Sequence, residues 1–553
     1  MSIRGRFLSL EYIGRRAAET ARRFPYTLVS GAVAAAAAIR MIELDNFAPT
    51  PGRLLLVGLL GIPVFTALAI FAERRPWSTT LKRWFPAAGI LLLGGYYLAL
   101  PQDVTYPALH IIRFALLILA SHFLVAVLPF AGAGDRTGFW QYNKSLFLRL
   151  LLAHIYMQVL FAGLALALVA ADQLFGLEVN PKRYAELGML IAGVFQTWVF
   201  LAGVPTDLEA LNRSSEYPAG LKVFTQFILL PLVSLYFLIL ITYEFKILAT
   251  WNWPEGWVAY LVLWFSVVGI LSLLLLHPLQ TQEGSRWIAA FGTWFFRGMV
   301  PLLGMLYFAI YQRIAEYGIT VNRYFVVAMA VGLTLVVLYF VIARSRDIRA
   351  IPATLCLLCL LSAFGPLSAF AVAERSQRSR LADYMARNTM ATGSVASPAP
   401  GAPSEVDRRE MSSIVDYLLE FHGPRAFRDW ADPELLARIE KDGHQEWSDS
   451  LAADLGFVYQ AGWRRAEGHG YFYFSADDAR RQPLPLAGWT HLVDYSYSGA
   501  EDSVRAFALG SDSVFVRLDS ASLVLTLAVG ADRTVAGPAA KLSLADRITQ
   551  LQT

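Results

Sequence analysis

The sequence predicts an all-α polytopic membrane bundle of about eleven transmembrane helices, followed by a small soluble α+β domain. Three observations carry this expectation. Hydrophobic residues make up 56% of the 553 residues and charged residues only 16%, where soluble domains carry about 25% charge; mean hydropathy is +0.46. Nearly charge-free stretches recur from residue 24 to residue 373, each of roughly 20 residues, the length that as a helix crosses a hydrocarbon layer of about 30 Å. Beyond residue 373 charge returns, and the pattern turns first to amphipathic helices and then to period-two strands.

Residues 1–23 open the chain as a basic amphipathic surface helix. Arg4, Arg6, Arg15, Arg16, Arg22 and Arg23 accompany Ile3, Phe7, Leu10, Ile13 and Ala17 at near-helical spacing, a pattern suited to an anionic membrane leaflet. This basic stretch is too long for the n-region of a cleavable signal. The transmembrane domain, 24–373, is expected to hold spans at 24–42, 54–72, 84–100, 107–128, 146–174, 184–203, 221–249, 257–277, 296–314, 324–344 and 351–373. Counts of ten or twelve remain open, because boundaries are the weak part of such readings.

Lys and Arg in the connections set the orientation. With the N-terminus inside, the inner loops carry Arg74, Arg75, Lys82 and Arg83; Arg136 and Lys144; Arg213; Arg286; and Arg344, Arg346 and Arg349. The outer loops have only Arg53, Lys182, Arg183 and Arg323. An odd number of spans then places the C-terminal region in the periplasm. Trp251, Trp253 and Trp257 bracket one outer turn, and Trp287, Trp294 and Phe295 precede the ninth span on the inner side, as interfacial aromatics do.

Residues 374–404 read as a helix followed by a Ser/Ala/Pro/Gly linker over Ser394–Ser404. Residues 405–553 form the expected α+β periplasmic domain. A helix from Glu405 to His422 stops at Gly423-Pro424, and Asp432-Pro433 starts another. Strands are expected at 471–474, 492–497, 504–509, 514–518 and 523–529, with a closing helix at 542–552.

Residues 374–553 hold 19 Lys/Arg and 25 Asp/Glu, a net of −6 that leaves +10 for the rest. A basic membrane region with a mildly acidic tail argues against nucleic acid as a partner. Cys356 and Cys359 form a C-x-x-C pattern, but lie in an apolar run without His, Lys or Asp to lower a thiol pKa; they read as small buried hydrophobes. No cofactor or metal is expected. Membrane lipids are the expected partners, with periplasmic or membrane proteins bound through the C-terminal domain as a further expectation.

Several segments carry a family resemblance. They are Ser145–Arg149 leading to Phe161-Ala-Gly-Leu; Gly203-Val-Pro-Thr-Asp207; Tyr217-Pro218 with Leu221–Leu232; Tyr243-Glu-Phe-Lys246; Arg313–Thr320 with Arg323-Tyr324; and Ser376-Gln377 with Arg380-Leu381. In order and spacing they resemble bacterial multi-span membrane proteins designated domain of unknown function DUF4153. The resemblance implies a bacterial inner-membrane protein of this architecture and implies no activity.

Ionisable groups inside spans cost on the order of 3 kcal/mol at mid-helix on insertion scales, so each asks for a partner or a cavity. Arg113 and Glu244 fall at similar depth in the outer half and are expected to pair, with His110, Glu186, Lys246 and Arg313 around them as an intramembrane polar cluster. His122 and His154 form a second candidate pair deeper on the inner side, with Gln158 one turn from His154. Interhelical hydrogen bonding explains them more simply than a metal does. No catalytic residue stands out. Three functions fit: a non-enzymatic envelope scaffold, sensor or assembly factor; a transporter or channel using the polar outer zone; and an enzyme acting on a lipid-linked substrate, with Glu43 and Asp45 in the first outer loop as its acids.

Overall fold

The computed structural model describes residues 10–44, 49–101, 108–132, 136–213, 216–251, 257–280, 286–343, 347–388, 403–442, 447–460, 505–509, 512–519, 524–530 and 539–543. Of the sequence expectations, residues 1–9, Asp45, Trp253, Arg344 and Arg346, most of the linker, and the strands at 471–474 and 492–497 lie outside the described residues. The chain divides into two compact units, Met1–Trp463 and Arg464–Thr553.

The first unit is helical. Helix α1 (Leu10–Arg23) is the basic arm. It is followed by α2 (Pro25–Leu44), α3 (Pro49–Arg74), α4 (Thr79–Ala99), α5 (Ala108–Val127) and the 40-residue α6 (Arg136–Phe175). Next come α7 (Lys182–Ala202), the short α8 (Leu208–Arg213), α9 (Ala219–Thr250), α10 (Trp257–Leu276), α11 (Arg286–Tyr317), α12 (Val321–Ile342) and α13 (Ala350–Ala363). The unit ends with α14 (Ala369–Arg387), α15 (Glu405–His422), α16 (Pro433–Asp442) and α17 (Ser448–Asp454). Helices α7 and α9 each contain a π-turn, Ile191–Gln196 and Phe224–Leu229. The first lies where α7 crosses α2 with backbones nearly touching: a Cβ on Gly31 would sit 2.3 Å from the Gly193 carbonyl oxygen. Ala35 of α2 lies in the same seam, where a Cβ on Gly193 would fall 2.8 Å from the Ala35 Cβ; small residues are the usual way for helices to approach closely in lipid.

Among the described residues, nine helices are long and apolar enough to cross a membrane: α2, α3, α5, α6, α7, α9, α10, α11 and α12. This is a multi-pass membrane protein. The two other expected spans are realised differently. Helix α4 opens with Lys82 and Arg83 and contains Pro86, which lower its apolarity. The expected span 351–373 breaks instead: α13 stops after 14 residues at Ala363, Gly365 takes φ +83°, Pro366 follows, and Ser368 caps a new helix by accepting from Ala371 N at 3.3 Å. Helix α13 is therefore only about 21 Å long.

Hydrogen bonds between chain reversals sort the connections to two ends. At the first end, Arg23 binds Glu73 through two 2.8 Å bonds and donates to the Val204 and Pro205 carbonyls. There too, Arg74 donates to Pro129 O, Arg349 to Phe130 O, Lys144 and Gln141 to Glu216 O, and Trp140 to Leu274 O. Asp347 faces Arg349 at 2.6 Å. Burial pushes its carboxyl up, but the hydrogen bonds and charge of Arg349 outweigh that and hold it below its ordinary value. At the opposite end, Arg53 donates to Tyr97 O at 2.6 Å and lies over the Tyr97 ring, and Arg113 donates to Ala363 O at 3.1 Å. All the helices from α2 to α13 except α8 run between these ends in alternation. The arginine-rich connections gather at the first end.

Two helix groups make up the bundle. The first is built on α2, α3, α5 and α7, the second on α9–α12, and α13 bridges them by packing on both α5 and α12. The second group is filled by an aromatic seam, with Phe237 stacked on Phe265 (centroids 5.6 Å) and Phe296 on Phe340 (4.6 Å).

Residues 405–553 do not form the single α+β domain expected for them. Helices α15–α17 share a core with α14: Leu381 and Met385 pack with Met411, Ile414, Val415, Leu418, Phe427 and Leu451. This burial makes them part of the first unit. The second unit contains a four-stranded antiparallel meander, β1 (Arg505–Leu509), β2 (Asp512–Asp519), β3 (Val524–Gly530) and β4 (Ala539–Ser543), in the order β1-β2-β3-β4. Strand β4 occupies the start of the expected closing helix.

Candidate functional site

The expected intramembrane cluster is not assembled. Arg113 does not meet Glu244; its guanidinium donates to Ala363 O at 3.1 Å and lies 5.4 Å from the centroids of both Phe364 and Phe370. His110 stays near it, one turn away on α5. Glu244 is 8% exposed on the face of α9 that also buries Val233, Leu240 and Ile247, facing the second helix group. It makes no hydrogen bond or ion pair among the described residues. Glu186 pairs with Arg183 of its own helix at 2.6 Å, Lys246 is exposed, and Arg313 is half-buried on α11. The separation has a plain cause: α5 packs against α3 and α13, whereas α9 packs against α10 and α11.

The second pair is not brought together either. His122 is exposed and its Nδ1 lies 2.7 Å from Ile118 O of its own helix. His154 is exposed with Nε2 at 3.3 Å from Gln158 Nε2. Both imidazoles are occupied locally. Glu43 pairs with Arg40 at 3.1 Å. Among the described residues no group of His, Cys, Asp and Glu is disposed to hold a metal ion. Cys356 and Cys359 are buried, with Cys356 Sγ against Ala120 O.

A different constellation stands out where the bundle meets α14–α17. The reversal between α11 and α12 (Tyr317–Thr320) lies at the end opposite the basic connections. Any such reversal leaves backbone N–H and C=O groups without helical partners, and here side chains of α14 and α15 take them up. Ser376 Oγ accepts from Ile319 N at 2.8 Å. Gln377, 2% exposed, donates from Nε2 to both Tyr317 O and Ile319 O at 3.1 Å. Arg380 donates to Tyr317 O at 2.7 Å and faces Glu410 of α15 at 3.3 Å. Tyr417 Oη accepts from Val321 N at 2.8 Å. The turn is shaped for this grip: Gly318 has φ +69°, and a Cβ there would lie 2.5 Å from Arg380 Cδ.

Apolar packing closes the joint. Ala369, Phe370 and Ala373 of α14 and Val321 of α12 are buried together, with Ile112, Tyr324, Tyr417 and Phe421 against them. Arg113 stands at its foot. Above it, Arg378 bonds Asp429 and lies 4.9 Å over Trp430. His422 is nearby, its side chain 4% exposed and its Nδ1 4.0 Å from Glu374; its Nε2 is buried without a hydrogen-bond partner among the described residues. Burial lowers the His422 pKa to about 4, and the 35% exposed Glu374 carboxylate is too well solvated to offset that. Burial likewise pushes the Tyr417 phenol up to about 12. Both rings are neutral at physiological pH. The arrangement offers no nucleophile with a base; it fixes one body on another.

Two separate resemblance segments, Arg313–Thr320 with Arg323-Tyr324 and Ser376-Gln377 with Arg380-Leu381, converge at this joint. Arg323 itself donates to Tyr317 O and Gly318 O at 3.3 and 3.2 Å. A third segment, Gly203–Asp207, receives Arg23 and caps α8 through Asp207, which accepts from Glu209 N and Ala210 N. Sequence reasoning from intramembrane charge could not find Ser376, Gln377 or Tyr417, which carry no charge.

Residues 28–395 match the family described as Domain of unknown function (DUF4153). The chain is 25% identical over 314 residues to the Uncharacterized protein PM1469 of Pasteurella multocida (strain Pm70), a match covering 56% of this chain and 51% of that protein. The matched stretch thus spans about half the length of that relative. No solved structure matches. With the family match extending over well more than half of its length, from the second helix through the joint with α14, the chain belongs to the DUF4153 family.

Proposed function

We propose that the protein is a non-enzymatic scaffold or assembly factor of the bacterial inner membrane, whose helix bundle holds an extramembrane module rigidly on the periplasmic side. The observation that carries this reading is the capture of the α11–α12 turn by Ser376, Gln377, Arg380 and Tyr417. A module that only needed tethering would require a linker; one held by several hydrogen bonds to backbone beside a buried apolar joint is held in a fixed orientation. The gathering of arginines at the end away from the module supports a cytoplasmic N-terminus under the positive-inside rule. On this reading residues 464–553 form a further soluble periplasmic unit.

The test places a photo-crosslinking residue at Val406 or Val458, which are 70% and 74% exposed on the module, in the full chain in cells. Discrete envelope-protein adducts are expected from the wild-type background. They should be lost when Gln377→Ala and Arg380→Ala are combined, with the bundle still in the membrane. Wild type without adducts at either position, or adducts unchanged in the double variant, would overturn the reading.

A further inference from the structure

At the basic end, a cavity of about 270 Å³ opens between the α1–α2 hinge, α3 and α4. Its walls are apolar and aromatic: Tyr26 and Phe65, with ring centroids 5.5 Å apart, together with Leu68 and Phe85. Its rim carries charge. Arg23 and Glu73 neutralise each other through a bidentate pair, and Arg23 also donates to the Val204 and Pro205 carbonyls. Arg22 and Lys82, which also line the cavity, make no ion pair among the described residues. Two uncommitted cations therefore stand over an apolar slot.

The position of α4 makes the slot reachable from lipid. Helix α4 packs chiefly on α3, and its outer face exposes Trp84 (67%), Leu91 (76%) and Leu92 (69%). A ligand entering here needs an anionic head for Arg22 and Lys82 and a hydrocarbon chain for Phe65, Leu68 and Phe85. A soluble phosphate would use the cations and leave the aromatic walls empty. A zwitterionic lipid would use the walls and bring an ammonium towards two cations.

We propose that this cavity binds one anionic phospholipid, its phosphate held between Arg22 and Lys82 and one acyl chain lying against Phe65 and Phe85. Basic groups at a membrane surface each attract an anionic lipid by a modest amount, and two acting together correspond to a preference of about thirty-fold. The bound lipid would tie the amphipathic arm to α3 and α4, on a face of the protein remote from the module joint.

The test uses the full chain, delipidated in a mild non-ionic detergent and titrated with dioleoyl-phosphatidylglycerol or dioleoyl-phosphatidylcholine under native mass spectrometry. One tightly retained phosphatidylglycerol is expected, preferred over phosphatidylcholine by at least about ten-fold, with millimolar inorganic phosphate failing to displace it. In the combined R22Q and K82Q variant the preference should fall to about two-fold or less, while Lys82→Arg keeps it. Lipid-free melting temperatures matching the wild type establish that the variants fold. Equal binding of the two lipids by the wild type, or an unaltered preference in the double variant, would overturn the proposal. Displacement of the lipid by inorganic phosphate would overturn it in favour of a soluble anion.

Discussion

His422 shows how one side chain reports on the joint. Its ring is buried beside Tyr417, at 5.9 Å between centroids, and burial lowers its pKa from 6.5 to about 4. The sign follows from linkage: below pH 6.5 the unfolded chain takes up a proton on this histidine that the folded protein refuses. Stability from this group is thus complete above pH 6.5 and is lost as the pH falls towards 4, by up to about 3 kcal/mol. Thermal unfolding in detergent between pH 7 and pH 4.5 should show a steeper decline for wild type than for His422→Gln. Parallel declines would mean that the ring is protonated in place. Arg113 teaches a related lesson. Its position in a span marked it correctly as a group needing a partner, but depth along a helix does not say which helix lies alongside. The partner is a carbonyl freed by the end of α13 and a pair of phenylalanines, not the carboxylate of Glu244.

At the scale of elements, the turn between α11 and α12 and the first turns of α14 act as one piece. Gly318→Ala places a Cβ where the backbone is left-handed and where Arg380 already sits. Strain and lost hydrogen bonds together should cost about 1–3 kcal/mol. Limited proteolysis should accordingly cut α14 and α15 faster than in wild type, before the bundle is attacked; identical cleavage rates would show that the grip is dispensable. Most helices were legible because a 20-residue apolar run admits few other structures in lipid. The break at Phe364–Ser368 was not, although Gly365-Pro366 stood within the expected span: the apolar run continues through Phe370 to Ala373, and hydropathy does not distinguish a helix that crosses from one that stops and restarts. Gln377 and Ser376 are uncharged residues on an amphipathic helix, and nothing in hydropathy marks them as a grip. Only the family resemblance singled them out.

For the whole molecule, the decisive property is that the arginine-rich connections and the α14–α17 module lie at opposite ends. The sidedness proposed from this is open to direct measurement. In a background with Cys356 and Cys359 replaced by Ala, Glu405→Cys on the module should react with a membrane-impermeant maleimide in intact spheroplasts, and Arg213→Cys at the basic end should not. The reverse labelling would invert the proposed orientation. The division at Trp463, rather than at the Pro-rich linker, could not be read from composition, because what fixes it is the shared core of Leu381 and Met385 with α15. One consequence of the fold concerns the lipid around it. Helix α13 exposes Leu357, Leu360 and Leu361 over only about 21 Å of length, while α6 exposes an uncharged run from Leu150 to Ala171 of about 33 Å. A bilayer meeting both must thin beside one helix and keep its full depth beside the other, at a cost of fractions of a kcal/mol per Å. The protein's lipid annulus is therefore uneven, and a membrane whose thickness already varies from place to place would accommodate it at lower cost than a uniform one.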